Sequence, residues 1–221
     1  MNQAPDTGHG ARGTPSSLLQ RFHDSTIQQL RATAEVMKDI ERELTPRIAE
    51  TVDLLAGTFR AGNKLLVMGN GGSAADAQHL AAELVGRFRM ERRGLPAIAL
   101  TTDSSILTAL GNDYGFDTVF TRQIESLALP GDLVIGISTS GTSRNVAAAL
   151  ELARSRGCRT VGLLGRGGGI IAGMVDVPLV VPSHETPRIQ EGHITIIHIL
   201  CDLLEQELFG DGETLSGGFR G

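Results

Sequence analysis

From Gly62 onward the chain alternates short, continuously apolar runs with longer segments of helical periodicity, a pattern that few folds accept. The runs Lys64–Met68, Ala97–Leu100, Leu133–Ile137, Thr160–Leu164 and Leu179–Val181 predict strands. The stronger ones are apolar on both faces, as strands covered by helices on each side must be. Segments near Ala74–Phe88, Ser105–Leu110, Thr118–Leu127, Arg144–Ser155 and Pro187–Phe209 predict helices. Strands that alternate with helices need crossover connections, so the expectation is an α/β fold. It is a three-layer α/β/α sandwich around a five-stranded parallel sheet.

Ahead of the sheet, Phe22, Ile27, Leu30, Ala34, Met37 and Ile40 recur at helical spacing, so a long amphipathic helix starts near Leu18 and must pack on something. Thr45 followed by Pro46 reads as an N-cap and a first-turn proline. A second helix is therefore expected, carrying Ile48, Val52, Leu55 and Phe59 to a stop at Gly62. Residues 16–209 form one domain with this N-terminal helical extension. Residues 1–15, with Pro5, Gly8, Gly10, Gly13 and Pro15, lack apolar periodicity and are expected as a mobile tail, as is the polar, Gly-rich 210–221.

A formal charge of −5 supplies no broad positive field for nucleic acid or an anionic membrane, so neither is expected as a partner. An anionic substrate has to be gripped locally. Cys158 and Cys201 are too few for a disulfide framework or zinc knuckle, and a reducing cytoplasm is the expected setting. No apolar run reaches the about 18 residues of a membrane span, and the N-terminus does not read as a signal peptide.

Two loops have the chemistry for a local grip, because ligands of open α/β sheets sit beyond the carboxyl ends of the strands. The first is Gly69-Asn70-Gly71-Gly72-Ser73, where glycines let backbone approach a ligand and Asn70 and Ser73 add side-chain hydrogen bonds. The second is Ser138-Thr139-Ser140-Gly141-Thr142-Ser143, directly ahead of a helix at Arg144. Hydroxyls and helix N–H groups can solvate a phosphate dianion without a lysine. Gly69 to Ala74 also matches a dinucleotide fingerprint. No acidic residue follows about 20 positions later at a strand end, and no Gly-Lys-Ser/Thr follows either, so that reading and a P-loop both weaken.

His79 and Glu83 stand four apart on the helix leaving the first loop and share a face. Such a pair is common on surfaces, but its place one to two turns past a phosphate loop makes it a candidate for a metal or a proton path. On the last helix, Gln190 and His198 sit among aliphatic residues. A histidine in an apolar run is more often a hydrogen-bonded core residue. Eight residues separate the two, about 12 Å along a helix, so both reach one ion only by leaning together.

Gly69-Asn70-Gly71-Gly72-Ser73, Gly111-Asn112-Asp113, Ser138-Thr139-Ser140-Gly141 and Arg188-Ile189-Gln190-Glu191 with His198 together resemble the phosphoheptose isomerase family of the sugar isomerase (SIS) fold, a flavodoxin-like architecture. The resemblance runs from about Leu18 to Phe209. It implies isomerisation of sedoheptulose 7-phosphate to glycero-manno-heptose 7-phosphate, the first step toward the heptose of bacterial surface glycans. It implies a zinc ion on His79, Glu83, Gln190 and His198, and a homotetramer with active sites between subunits. Substrate contacts fall on Asn70, Gly71, Gly72, Ser73, Asn112, Asp113, Ser138, Thr139, Ser140 and Ser143, with Glu83 and Gln190 also touching sugar. Glu83 and His198 become the acid/base pair, although a metal competes for the same side chains. Two alternatives stand beside this: a non-catalytic SIS adaptor that binds the replication initiator, and an isomerase for another phosphosugar.

Overall fold

A computed structural model describes residues 15–210; of the expected tails 1–15 and 210–221, all but Pro15 and Gly210 lie outside the described residues. Helix α1 spans Pro15–Arg60 and leads into β1 (Leu65–Gly69), α2 (Gly72–Val85), β2 (Ala97–Ala99), α3 (Ser104–Tyr114) and α4 (Thr121–Leu127). Then follow β3 (Leu133–Ser138), α5 (Arg144–Ser155), β4 (Arg159–Leu164), β5 (Val177–Val180) and α6 (Thr186–Phe209). The five strands are all parallel in the order β2-β1-β3-β4-β5.

The sheet sorts its side chains by the two-residue period of a strand. Leu65, Val67, Leu133, Ile135, Ile137, Val161 and Leu163 point into one core with α1, α2 and α6. Leu66, Met68, Val134 and Leu164 point into the other, with Val119, Phe120 and Ile124 of the α4 region and Val146, Ala149 and Leu150 of α5. The three-layer sandwich expected from the sequence is therefore the fold observed.

One expectation fails. No second helix begins at Thr45-Pro46, because α1 runs unbroken with Pro46 inside it. A proline there forfeits one hydrogen bond and crowds the carbonyl a turn earlier. Here that turn faces water: Glu41, Arg42, Glu43, Thr45 and Pro46 are exposed, and the Thr45 hydroxyl donates to the Glu41 carbonyl at 2.6 Å. Meanwhile Ile40, Leu44, Ile48, Val52 and Leu55 form one buried stripe across the proline. A break would swing half of that stripe off the core, and burying a large aliphatic side chain is worth about 1.5–3 kcal/mol.

The order β2-β1-β3 makes β1 and β3 the point where the chain reverses its direction of winding across the sheet. Crevices open beyond the carboxyl ends of strands at such switch points. The two polar loops predicted from the sequence follow those two strands.

Candidate active site

The loop after β3 folds around its own hydroxyls. Ser138 Oγ lies 2.9 Å from Ser143 Oγ and 3.4 Å from Ser140 Oγ, and Ser138 Oγ accepts the Gly141 N–H at 3.1 Å. Ser140 Oγ accepts from the Thr142 N–H and hydroxyl at 3.2 and 3.0 Å. Ser143 is the N-cap of α5, yet its side chain makes no capping bond. Its hydroxyl is turned to Ser138 instead, which leaves the first N–H groups of α5, other than the Val146 N–H taken by Asn145, available to an anion. Gly141 (φ +66°) bends back so tightly that a Cβ there would overlap the Gly168 carbonyl of the loop after β4. Thr139 is half-buried within the same turn.

The β1 loop is tied to this one by a pair of amides. Asn70 Nδ2 donates to Asn145 Oδ1, and Asn145 Nδ2 donates to Asn70 Oδ1, both at 2.9 Å. Asn145 is buried in the first turn of α5, where its Oδ1 also accepts the Val146 N–H at 2.9 Å. Gly71 (φ +57°) turns the chain into α2, and Ser73 is buried beneath it. Gly72 meets the Gln190 side chain so closely that any Cβ would overlap its Nε2.

That contact is the first of a series that sets α2 beside α6. Seven residues past Gly72, His79 Nε2 lies 3.3 Å from His198 Nε2 of α6, with ring centroids 5.1 Å apart. His79 Nε2 is also 3.1 Å from Glu83 Oε1. Phe88, just past α2, stacks on the His198 ring at 5.5 Å and 28°. His193 lies between Gln190 and His198 on the buried side of α6 and contacts the Leu164 carbonyl through Nε2 at 3.0 Å. Burial lowers its pKa to about 4, and its Nδ1 has no partner. It is therefore a neutral ring that pins α6 to the end of β4.

The geometry gathers His79, Glu83 and His198 into one group and puts Gln190 at the loop end, two helical turns before His198. Asn112 and Asp113 lie near the exposed end of α3, where Asn112 Nδ2 donates to Asp113 Oδ1 at 2.8 Å. Among the described residues, no side-chain hydrogen bond joins them to either loop.

Sequence reasoning missed Asn145, although a lone amide opening a Val-Ala-Ala-Ala helix is an audible polar signal. It also missed Asp76, one turn before His79, whose buried Oδ2 has no hydrogen-bond partner. Burial raises that carboxyl to about 6, against the pull of His79.

In the His79 group, the two imidazole nitrogens stand at a spacing that a shared divalent ion accepts. Nitrogens each about 2.0–2.1 Å from a tetrahedral zinc stand about 3.3 Å apart, close to what the two imidazoles display. Among the described residues, however, no set of three or more His, Cys, Asp and Glu side chains is gathered into a metal cage.

A five-stranded parallel sheet in this order, with two anion-suited turns at its switch point, is the architecture of a SIS domain. The SIS domain profile matches residues 28–165. The chain is 70% identical over 183 residues to the phosphoheptose isomerase of Geotalea daltonii, covering 83% of this chain and 95% of that protein. It is 68% identical over 186 residues to that of Geobacter sulfurreducens, covering 84% and 98%. The solved phosphoheptose isomerase of Neisseria gonorrhoeae superposes with a TM-score of 0.80 at 42% identity, over 84% of this chain and 99% of that one. The chain belongs to the phosphoheptose isomerase family and is an isomerase. Among the described residues, no helix is long and apolar enough to cross a membrane.

Proposed function

We propose that this isomerase converts sedoheptulose 7-phosphate to D-glycero-D-manno-heptose 7-phosphate in the cytoplasm, as the first step toward the activated heptose of bacterial surface glycans. The register of α2 against α6 carries the reading. The loops suited to phosphate meet at the N-terminus of α2, and the His79, Glu83 and His198 group stands about 10 Å further along that helix, at 1.5 Å per residue. A heptulose 7-phosphate carries its phosphate and its carbonyl near opposite ends of an extended chain, which suits two grips set apart in this way.

The serine loop and the free N–H groups of α5 hold the phosphate, and Asn70 with Asn145 keeps the two loops at a fixed separation. At the far end, one base removes a proton from C1 of the ketose while the C2 oxygen is protonated, giving an enediol. Return of a proton to C2 and loss of the O1 proton complete the aldose, with no electrons lost or gained overall. Glu83 moves the proton between the carbons, and His198 serves the oxygens. His79, Glu83 and His198, with Gln190, would hold a zinc ion, which when bound supplies positive charge that polarises the hydroxy-ketone oxygens.

A homotetramer with shared active sites is part of the proposal. It is supported by apolar residues left uncovered in the single chain: Leu19, Phe22 and Leu30 on α1 are 67%, 57% and 66% exposed. Helix α3, which carries Asn112 and Asp113, buries none of its residues.

Steady-state turnover of sedoheptulose 7-phosphate tests the function. Glu83→Gln and His198→Gln should each lower kcat by at least about 100-fold while the protein stays folded and still binds the phosphosugar, since general acid–base steps contribute about 10²–10⁴-fold. Normal turnover in either variant removes the acid/base assignment. Treatment with a chelator should lower turnover and zinc should restore it; indifference to both rejects the metal.

A further inference from the structure

We infer that the buried Arg92–Glu205 ion pair, acting through Phe88, is a positioning device that sets Glu83 and His198 against each other. The inference rests on the acid/base reading of those two residues. Both side chains of the pair are 1% exposed, and Arg92 Nε donates to Glu205 Oε1 at 2.8 Å. Neither group is spare. Glu205 accepts the backbone N–H groups of Phe88, Arg89 and Met90 at 2.9, 2.8 and 2.8 Å. Burial pushes its carboxyl up, but those three donors and the guanidinium outweigh that and hold it below the ordinary carboxylate range.

Arg92 turns its remaining donors the other way. Its two terminal nitrogens donate to the Glu83 and Leu84 carbonyls, each at 2.8 Å, and to Gly86 and Arg93 at 3.1 and 3.0 Å. The guanidinium thus caps the C-terminal end of α2 at the residue proposed to move the proton. The carboxylate holding that guanidinium belongs to α6, two turns past His198. Between them, the three N–H groups fix the turn that presents Phe88, and Phe88 stacks on the His198 ring.

A device that only stabilised the fold would not need to meet both halves of the proposed acid/base pair. This one touches the backbone of Glu83 on one side and braces the ring of His198 on the other. A buried ion pair is weak evidence of stabilisation, because desolvation offsets much of its attraction. What it supplies is geometry: a planar fork and a carboxylate admit few arrangements.

The test uses the full chain with zinc, with sedoheptulose 7-phosphate as probe. Phe88→Leu should lower kcat about tenfold, because small misplacements of catalytic groups are costly, while KM stays within about twofold since the phosphate grip lies elsewhere. Phe88→Tyr, which keeps the ring, should restore most of that turnover. Glu205→Gln should lower kcat by about 10- to 100-fold, and combining it with Phe88→Leu should add little, since both act through one path. Folded Phe88→Leu and Glu205→Gln proteins that keep the parent kcat and lose only melting temperature would overturn the inference. Unimpaired turnover in Glu83→Gln and His198→Gln would instead strike the acid/base reading beneath it.

Discussion

The two ends of the site are built differently. The proposed phosphate end consists of backbone N–H groups, hydroxyls and two amides, on the loops after β1 and β3 and the first turn of α5, and both strands have neighbours on each side. The proposed reacting end consists of side chains from α2 and α6, which share one buried core and meet where Gly72 admits Gln190, His79 meets His198, and Glu205 clamps the turn after α2. Each loop of the first is a short local stretch seated on a central strand, and the Asn70–Asn145 amide pair joins the two. The second depends on the register of two helices, so disturbances at the two ends should be separable.

The severest challenge to the phosphate end is Gly141→Ala. The new Cβ would overlap Gly168 backbone, at a φ of +66° that alanine adopts reluctantly. We expect a loss on the order of 4 kcal/mol and failure to bind phosphosugar, measured by urea unfolding and calorimetry. Binding with native affinity would show that the serine loop is not the grip.

Asn145→Ala is the next test. Removing a buried amide strands both hydrogen-bonding groups of Asn70, at a cost of about 1–3 kcal/mol. KM should rise with kcat nearly unchanged, the converse of the Phe88→Leu pattern. A fall in kcat at constant KM would mean that the two ends are not separable.

The same division explains what the sequence revealed. The strands stand within one or two residues of their predicted places, because apolar runs bounded by glycine are a local signal. The serine loop and Gly69–Ser73 were legible for the same reason. Arg92 and Glu205 were not: they are 113 residues apart, and nothing in an Arg-Arg-Gly turn or a Leu-Leu-Glu-Gln helix declares a buried pair. Gln190 and His198 were legible as one candidate set on the last helix, where Gln190 meets Gly72 and His198 meets His79. At Pro46 a correct local rule lost to the long-range packing of α1.

Acid sharpens the comparison at the reacting end, where two displaced groups oppose each other. His193 has a folded pKa of about 4, below the ordinary histidine value of 6.5, so the unfolded chain takes up the proton first. The stability this contributes is present above about pH 6.5 and is lost as the pH falls toward 4. Asp76 acts in the opposite sense. Its folded pKa is raised from 3.8 to about 6, so the native state takes up the proton first and gains stability as the pH falls through 6. Between pH 7 and 5 the parent protein should therefore lose little stability. Asp76→Asn removes the offset and leaves His193 unopposed, so that variant should lose on the order of 2 kcal/mol over the same interval. Urea unfolding at the two pH values measures the difference. Equal acid sensitivity in both proteins would mean that Asp76 is ionised in the folded state, despite its unpartnered oxygen beside His79.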